Sequence, residues 1–321
     1  MGENMTGTVI KGINNIFTIS NGKDRYLCRI KGKILSDVQG EYNALAPGDE
    51  VLFVDGQIIE RLPRRNGLYR WNRKKNKLQA IAANLDQLLL FASIESPPFR
   101  PRFIDRVLVL AEQEGLSVKI IVNKCDLRMK PAERERIEVY RNLGYEVLEV
   151  SAHSGLNMSE LFTACVGKRS VVYGQSGVGK SSCLNTVFPH LDQAVGHITK
   201  KYQRGTHTTN FAVLLQGQES QDMQGSEKIE LIDTPGIRQI QLAGLDPAHI
   251  AYGYREIRPR ITQCEFAACT HIHEPGCAVR AAVKLGEIHP DRYKSYCEAV
   301  EESIFLERQM GYGSAKGGEN G

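Results

Sequence analysis

The sequence has no apolar run approaching the roughly 20 residues that cross a bilayer; its longest extends only from Leu88 to Ile94. Its first residues, Met1-Gly2-Glu3-Asn4-Met5-Thr6, lack the basic start and apolar stretch of a secretory leader. A cytoplasmic protein without membrane contact is the expectation. A dominant charge is also missing: 41 Lys and Arg stand against 37 Asp and Glu, and the net +4 is too small to argue for nucleic acid. No internal repeat or heptad array is present, which excludes solenoids and coiled coils. Without a leader, the eight cysteines read as reduced thiols rather than a disulfide framework. What is there is ordinary for a soluble chain: 41% hydrophobic and 24% charged residues, enough for real cores. A length of 321 residues implies two or three domains.

Short strand candidates cut by turns fill the first part of the chain: Thr8-Val9-Ile10, Ile16 to Ile19, Arg25 to Ile30, Glu50 to Val54 and Gln57 to Ile59, separated by Asn21-Gly22, Lys31-Gly32, Pro47-Gly48-Asp49 and Asp55-Gly56. About five strands of this kind fit a small closed barrel, OB-like first and SH3-like as the competitor. A basic stretch follows, from Arg61 to Lys77, with no acid in it. The rhythm then changes to strand, helix, strand: Leu88 to Ala92, Arg102 to Glu114, Val118 to Val122, Pro131 to Leu143 and Glu146 to Val150. It resumes at Val171-Val172-Tyr173 and Ile229 to Ile232, with Phe211 to Leu215 as an antiparallel partner. Such alternation predicts a mostly parallel, doubly wound sheet. Past about residue 245 the chain reads as helices around a Cys/His cluster, and from Gly311 it is Gly-rich and polar.

Gly174-Gln175-Ser176-Gly177-Val178-Gly179-Lys180-Ser181-Ser182 contains G-x-x-x-x-G-K-[ST], after a strand and before a helix. Its glycines let backbone N–H groups curl around phosphate oxygens at a helix N-terminus. Lys180 would reach the β/γ-phosphates and the Ser181 hydroxyl would ligate Mg²⁺. Asp233-Thr234-Pro235-Gly236 ends an apolar strand, where such a protein keeps its Mg²⁺-side carboxylate and the glycine that senses the terminal phosphate. Asn123-Lys124-Cys125-Asp126 closes another strand. Asp126 can accept from guanine N1–H and its exocyclic amine, while Asn123 faces the O6/N7 edge and Ser151-Ala152 offers a backbone N–H to O6. Adenine would leave that carboxylate unpaired, at a cost of about 1–3 kcal/mol or more. The base motifs precede the phosphate loop, the reverse of the usual order. A sheet tolerates relocated termini when the old ends lie close, so circular permutation preserves the site.

Cys264-x4-Cys269-x-His271-x5-Cys277 offers three thiolates and an imidazole, a closed set suited to a structural tetrahedral Zn²⁺, with His273 as the alternative nitrogen ligand. Arg64, Arg65, Arg70, Trp71, Arg73, Lys74 and Lys75 lie in the basic stretch, where cations would meet phosphates and rings would stack on unpaired bases. Arg255, Arg258, Arg260 and Arg280 form a candidate second basic surface.

The order of motifs, with a barrel before and a Cys/His cluster after, resembles the circularly permuted, ribosome small-subunit-dependent GTPases of the RsgA/YjeQ family over nearly the whole chain. Gln79 to Asp86 and Ser96-Pro97-Pro98-Phe99 belong to the same resemblance. It implies a multidomain protein: an N-terminal OB-like β-barrel, a central permuted α/β P-loop GTPase domain and a C-terminal helical zinc-binding domain. It further implies late maturation of the small ribosomal subunit, with GTP hydrolysis stimulated by the subunit, and favours His271 as the zinc ligand. In Gly205-Thr206-His207-Thr208-Thr209 the family arginine is replaced by Thr206; His207 matches the water-positioning histidine, and Thr208, or else Thr209, the Mg²⁺-sensing threonine. Ile237 stands where Ras-like enzymes carry the water-orienting glutamine, which predicts slow intrinsic turnover. The divisions expected are a barrel over 1–63, a basic linker over 64–78, the GTPase domain over 79–242, the zinc domain over 243–310 and a disordered tail over 311–321. The expected state is a monomer whose partners are GTP or GDP and the small subunit with its rRNA. Competing readings are a GTP-gated RNA-binding assembly module with vestigial hydrolysis, and a P-loop ATPase or metabolite kinase.

Overall fold

Alternation of apolar and polar residues sets the barrel. The computed structural model describes residues 3–13, 15–32, 41–72, 75, 77–188, 212–218, 228–234, 242 and 245–315. Strands β1 (Met5–Ile13), β2 (Ile16–Ser20), β3 (Arg25–Ile30), β4 (Glu50–Val54) and β5 (Gln57–Arg61) turn Val9, Ile19, Cys28, Val51, Phe53 and Ile58 inward. They close in the order β1-β2-β3-β5-β4, with β4 returning to β1. The β3–β5 pairing is parallel and the rest antiparallel, the OB-like arrangement rather than a simple meander.

The stretch expected to be a linker is structured. β6 (Gly67–Asn72) and β7 (Lys77–Ala83) form an antiparallel hairpin anchored by the buried Leu68 and the buried run Ala80 to Ala83. The basic residues therefore ride on a hairpin, not a tether.

The GTPase sheet runs β10-β9-β8-β11-β13-β12, parallel except for the edge strand β12. Its strands are β8 (Gln87–Ser93), β9 (Ser117–Asn123), β10 (Glu146–Glu149), β11 (Arg169–Gly174), β12 (Val213–Gln218) and β13 (Lys228–Asp233). The helices between them are α1 (Pro101–Gln113), α2 (Pro131–Asn142), α3 (Met158–Cys165) and α4 (Lys180–Val187), with proline at the first helical position of α1 and α2. β8 is buried on both faces: Leu88 and Leu90 join the core under α1, Leu89 and Phe91 the core under α3 and α4.

Beyond the sheet come α5 (Pro247–Tyr252), a 3-10 turn (Arg258–Gln263), α6 (Ala278–Lys284) and α7 (Pro290–Ala315). Their Ile250, Tyr254, Val279 and Tyr296 share the core of α1. Because α7 continues to Ala315, helix replaces disorder over the first part of the expected tail. No helix among the described residues is long and apolar enough to cross a membrane.

Two polar joints hold these parts together. At the first, Arg169 at the start of β11 donates from Nε to Glu230 of β13 at 2.7 Å and from Nη1 to the Gly48 carbonyl at 3.1 Å and Glu50 at 3.3 Å in the barrel. The Asn84 amide donates to that same carbonyl at 2.9 Å, and Asp86 accepts from the Arg169 backbone N–H at 2.7 Å and from Arg65 at 2.7 Å. Gly48 has φ +92°, and a Cβ there would lie 2.2 Å from the Ala83 carbonyl oxygen, so the barrel closes onto the end of β7 only with glycine. At the second, Arg292 of α7 donates to Asp105 of α1 at 2.6 Å and to both oxygens of Glu256 at 2.6 and 2.9 Å, while Arg136 and the Tyr140 hydroxyl also donate to Asp105, at 2.5 and 2.8 Å.

Candidate nucleotide site and metal centre

β11 delivers Gly174 to the sheet's edge, and the loop from Gln175 to Gly179 turns into α4. Gly179 has φ +92°, and a Cβ there would lie 2.1 Å from Asn123 Nδ2. The base motif and the phosphate loop thus touch. Asn123, only 2% exposed, donates to the Val178 carbonyl at 2.9 Å and accepts from the Ala152 N–H at 3.3 Å. Both ends of its amide brace the site. The Ser151 and Ala152 N–H groups are likewise used internally, on Leu156 O at 3.1 Å and on Asn123.

Asp126 is the group presented outward. The Ser151 hydroxyl donates to its carboxylate at 2.5 Å and holds it below the usual carboxylate range. An acceptor kept ionised and aimed by a second residue suits the paired N–H donors of guanine. Cys125 between them is a packing residue: burial pushes its thiol up to about 11, and it donates to Val122 O at 3.2 Å. Lys124 has φ +68° and donates to Glu95 O at 3.0 Å, Gly177 O at 3.2 Å and Ser96 O. It ties the loop after β8 to the phosphate loop and gives the Ser96-Pro97-Pro98 stretch, which carried no role in the sequence reading, the position of a side wall.

Lys180 is buried and folds over its own loop, donating to the Gly174 and Gln175 carbonyls at 2.9 Å each. Asp233 ends β13 opposite Val172, and Thr234 anchors the turn by donating to Val172 O at 2.7 Å. Burial raises the Asp233 carboxyl and lowers the Lys180 ammonium, while each charge partly offsets the other's shift. The desolvated Asp233 carboxylate, within electrostatic reach of Lys180, and the exposed Ser181 hydroxyl that follows Lys180 on α4 are hard oxygen donors of the kind Mg²⁺ takes. Gly236, Ile237, Thr206, His207, Thr208 and Thr209 lie outside the described residues.

At the C-terminal cluster, Cys264, Cys269, His271 and Cys277 bring their ligand atoms within 4.8 Å of one another. The Cys264 and Cys277 sulfurs are 4.0 Å apart and stand 3.4 and 3.6 Å from His271 Nδ1. A tetrahedral Zn²⁺ with bonds near 2.3 Å spans sulfurs about 3.8 Å apart, so the cage fits. Burial lowers the His271 pKa and favours the neutral imidazole that a metal requires. Glu274 shapes the loop: burial opposes its charge, but hydrogen bonds from the Thr270 hydroxyl and N–H and from the His273 N–H hold it near about 2. Tyr293 and Tyr296 of α7 donate to the His271 and Thr270 carbonyls at 2.8 and 2.7 Å. His273 is exposed and outside the cluster.

The basic residues divide. Arg64 is buried against Asp49, with bonds of 2.6 and 2.8 Å, and against Glu41 at 2.7 Å, which removes it from the expected RNA surface. Arg65 pairs with Asp86, and Arg70 donates to Gln79 at 3.1 Å. Trp71 is half-buried on β6 and Lys75 is exposed at the hairpin turn. Arg73 and Lys74 lie outside the described residues. Arg255 and Arg258 pair with Glu112, Arg260 with Glu287, and Arg280 donates to the His273 and Glu274 carbonyls, so each of these partly exposed cations already has a partner within the chain.

A mostly parallel sheet in which an Asn-Lys-x-Asp motif comes first, the P-loop second and the Asp233 turn third defines a circularly permuted P-loop GTPase. The RsgA GTPase family model matches residues 61–243. The chain belongs to that family. It is 36% identical over 301 residues to a protein of Borrelia garinii subsp. bavariensis named "Small ribosomal subunit biogenesis GTPase RsgA", covering 92% of this chain and 95% of that one. A protein of the same name from Chlorobaculum parvum is 36% identical over 316 residues, covering 94% and 99%. Among solved structures, YjeQ from Thermotoga maritima superposes with a TM-score of 0.71 at 29% identity over 94% of this chain and 99% of that one. YloQ, titled a circularly permuted GTPase, superposes with 0.65 at 25% identity over 96% of each.

Proposed function

We propose that this chain is a GTP hydrolase that turns over slowly alone and faster on the small ribosomal subunit, whose late maturation it assists. The observation that carries the reading is the Asn123 brace to Val178: it fixes the Asp126 carboxylate relative to the phosphate loop, so that base identity and phosphate chemistry are read by one rigid unit. The names of relatives aligned over almost the entire chain support the choice of partner.

In the proposed reaction water attacks the γ-phosphate and the β–γ bond breaks. Lys180 leaves the Gly174 and Gln175 carbonyls for the β/γ-phosphate oxygens, and loop N–H groups share the developing charge. Ser181 and Asp233 hold Mg²⁺, joined by Thr208; bound there, the ion neutralises phosphate charge. Gly236 offers its N–H to the γ-phosphate. His207 orients the water, since Ile237 has no polar group to do so. Cys264, Cys269, His271 and Cys277 hold one structural Zn²⁺.

The test is steady-state hydrolysis with and without purified small subunits, with ATP and large subunits as controls. A slow GTP-specific rate raised roughly tenfold or more by small subunits alone is expected. No stimulation, with GTP and subunit binding intact, would instead establish the GTP-gated assembly module.

A further inference from the structure

Guanine presents its exocyclic amine, N1–H and O6 in a row along one edge. The Asp126 carboxylate suits the first two, which leaves O6, an acceptor, in need of a donor. The N–H groups nearest in sequence are spent: that of Ser151 on Leu156 O at 3.1 Å and that of Ala152 on Asn123 Oδ1 at 3.3 Å. Further on, the Ser154 N–H donates to Ser151 Oγ at 3.1 Å and the Gly155 N–H to Ser151 O at 2.9 Å. From Ser151 to Gly155, only the His153 N–H has no partner among the described residues. His153 is also held beside the base motif from both sides. Ala152 before it is tied to Asn123, and Ser154 after it to Ser151, whose hydroxyl holds Asp126 at 2.5 Å. Its imidazole is exposed and close enough to Asp126 for a charge on it to lower that carboxyl, through space and without a hydrogen bond. An unpaired donor and an uncommitted ring thus stand on the loop that aims the base-reading carboxylate.

We propose that His153 is a further specificity-determining residue of the GTP site: its N–H donates to guanine O6 and its imidazole covers one face of the ring. The assignment deepens the function proposed above and rests on it. Adenine carries an amine where guanine carries O6, so the His153 N–H would meet a donor and stay unpaired. Stacking on the imidazole is indifferent to the base, because every base has a π-face. Discrimination is therefore carried by the backbone of His153 and affinity by its ring.

The test uses the full chain, labelled with ¹⁵N, and two readouts. The first is amide exchange with and without GDP. The His153 amide should exchange fast in the nucleotide-free chain and slow by about tenfold or more with GDP bound; protection of Ala152 with His153 still fast would overturn the O6 assignment. The second is the affinity for GTP, GDP and ATP. His153→Ala keeps the N–H and loses the ring, so it should bind GTP and GDP more weakly by the same factor, roughly fivefold or more, and keep the preference for GTP over ATP. His153→Phe should recover most of the loss. Unchanged affinity in His153→Ala, or a Phe variant no better than Ala, overturns the stacking role, and loss of the GTP preference in His153→Ala overturns discrimination by the backbone. The melting temperature of the nucleotide-free variants should match the parent, because the imidazole makes no hydrogen bond or ion pair among the described residues. A parent that binds ATP as tightly as GTP overturns the guanine reading itself.

Discussion

Asp105→Ala should loosen the join between the GTPase domain and the C-terminal helices more than any surface change. Asp105 is fully buried and accepts from Arg136, Tyr140 and Arg292, while Arg292 also satisfies Glu256. The four ionic groups balance, two cations against two carboxylates. Without Asp105 one buried cation is left uncompensated, an expected loss of roughly 3–5 kcal/mol, or on the order of 6–10 °C in melting temperature at about 2 °C per kcal/mol for a chain of this size. Arg136 is the weaker member, because its Nε and Nη1 are buried without partners. Arg136→Leu removes one of three donors to Asp105 along with two unsatisfied groups, so it should cost about 1 kcal/mol or less. In the double variant Arg292 keeps Glu256, and the combined loss should fall short of the sum by about 1–3 kcal/mol. Urea unfolding of the four proteins, followed by proteolysis between the domains, measures each quantity. An Asp105→Ala cost below about 1 kcal/mol, typical of exposed pairs, would show that the cluster is solvated and refute the reasoning.

Burial holds the Asp233 carboxyl above its ordinary range, so it takes up a proton at a higher pH than free aspartate and loses its hold on a cation there. The acid limb of kcat/KM for Mg²⁺-dependent hydrolysis should therefore lie above about 3.9; a limb at or below that value contradicts the burial argument. Metal analysis of the purified chain should find one equivalent of zinc, and Cys277→Ser should lower that content and expose the C-terminal helices to protease while leaving the base site intact. Equal metal content in the variant would place the ion elsewhere.

What the sequence made legible was local. The P-loop, the base motif, the Asp-Thr-Pro-Gly turn and the Cys/His cluster are contiguous patterns whose chemistry depends on spacing within one loop, and their permuted order is a linear fact. What it concealed depended on partners far along the chain. Arg64 reads as one of a basic run until Asp49 and Glu41 close over it. Arg292 and Asp105 are separated by 187 positions. Asn123 belongs to a recognisable motif, yet its role as a brace needs Val178, contributed by a different loop. The hairpin of β6 and β7 was hidden because the charges around its turn masked the buried Leu68 and Ala80 to Ala83 at its base. Leu27 reads as one apolar letter of β3, and only the structure shows that it points outward.

Arg169 gives the molecule a fixed dimension. It begins the strand that ends in the phosphate loop, it pairs with Glu230 on the strand that ends in Asp233, and it is bolted to the barrel at Gly48 and Glu50. Barrel and sheet therefore serve as one ruler: wherever the barrel seats, the distance to the catalytic edge is already set, and nucleotide exchange has no slack there to take up. Movement that reports the state of the nucleotide must be drawn from the other end of the sheet, away from this joint and toward the helices around the Cys/His cluster.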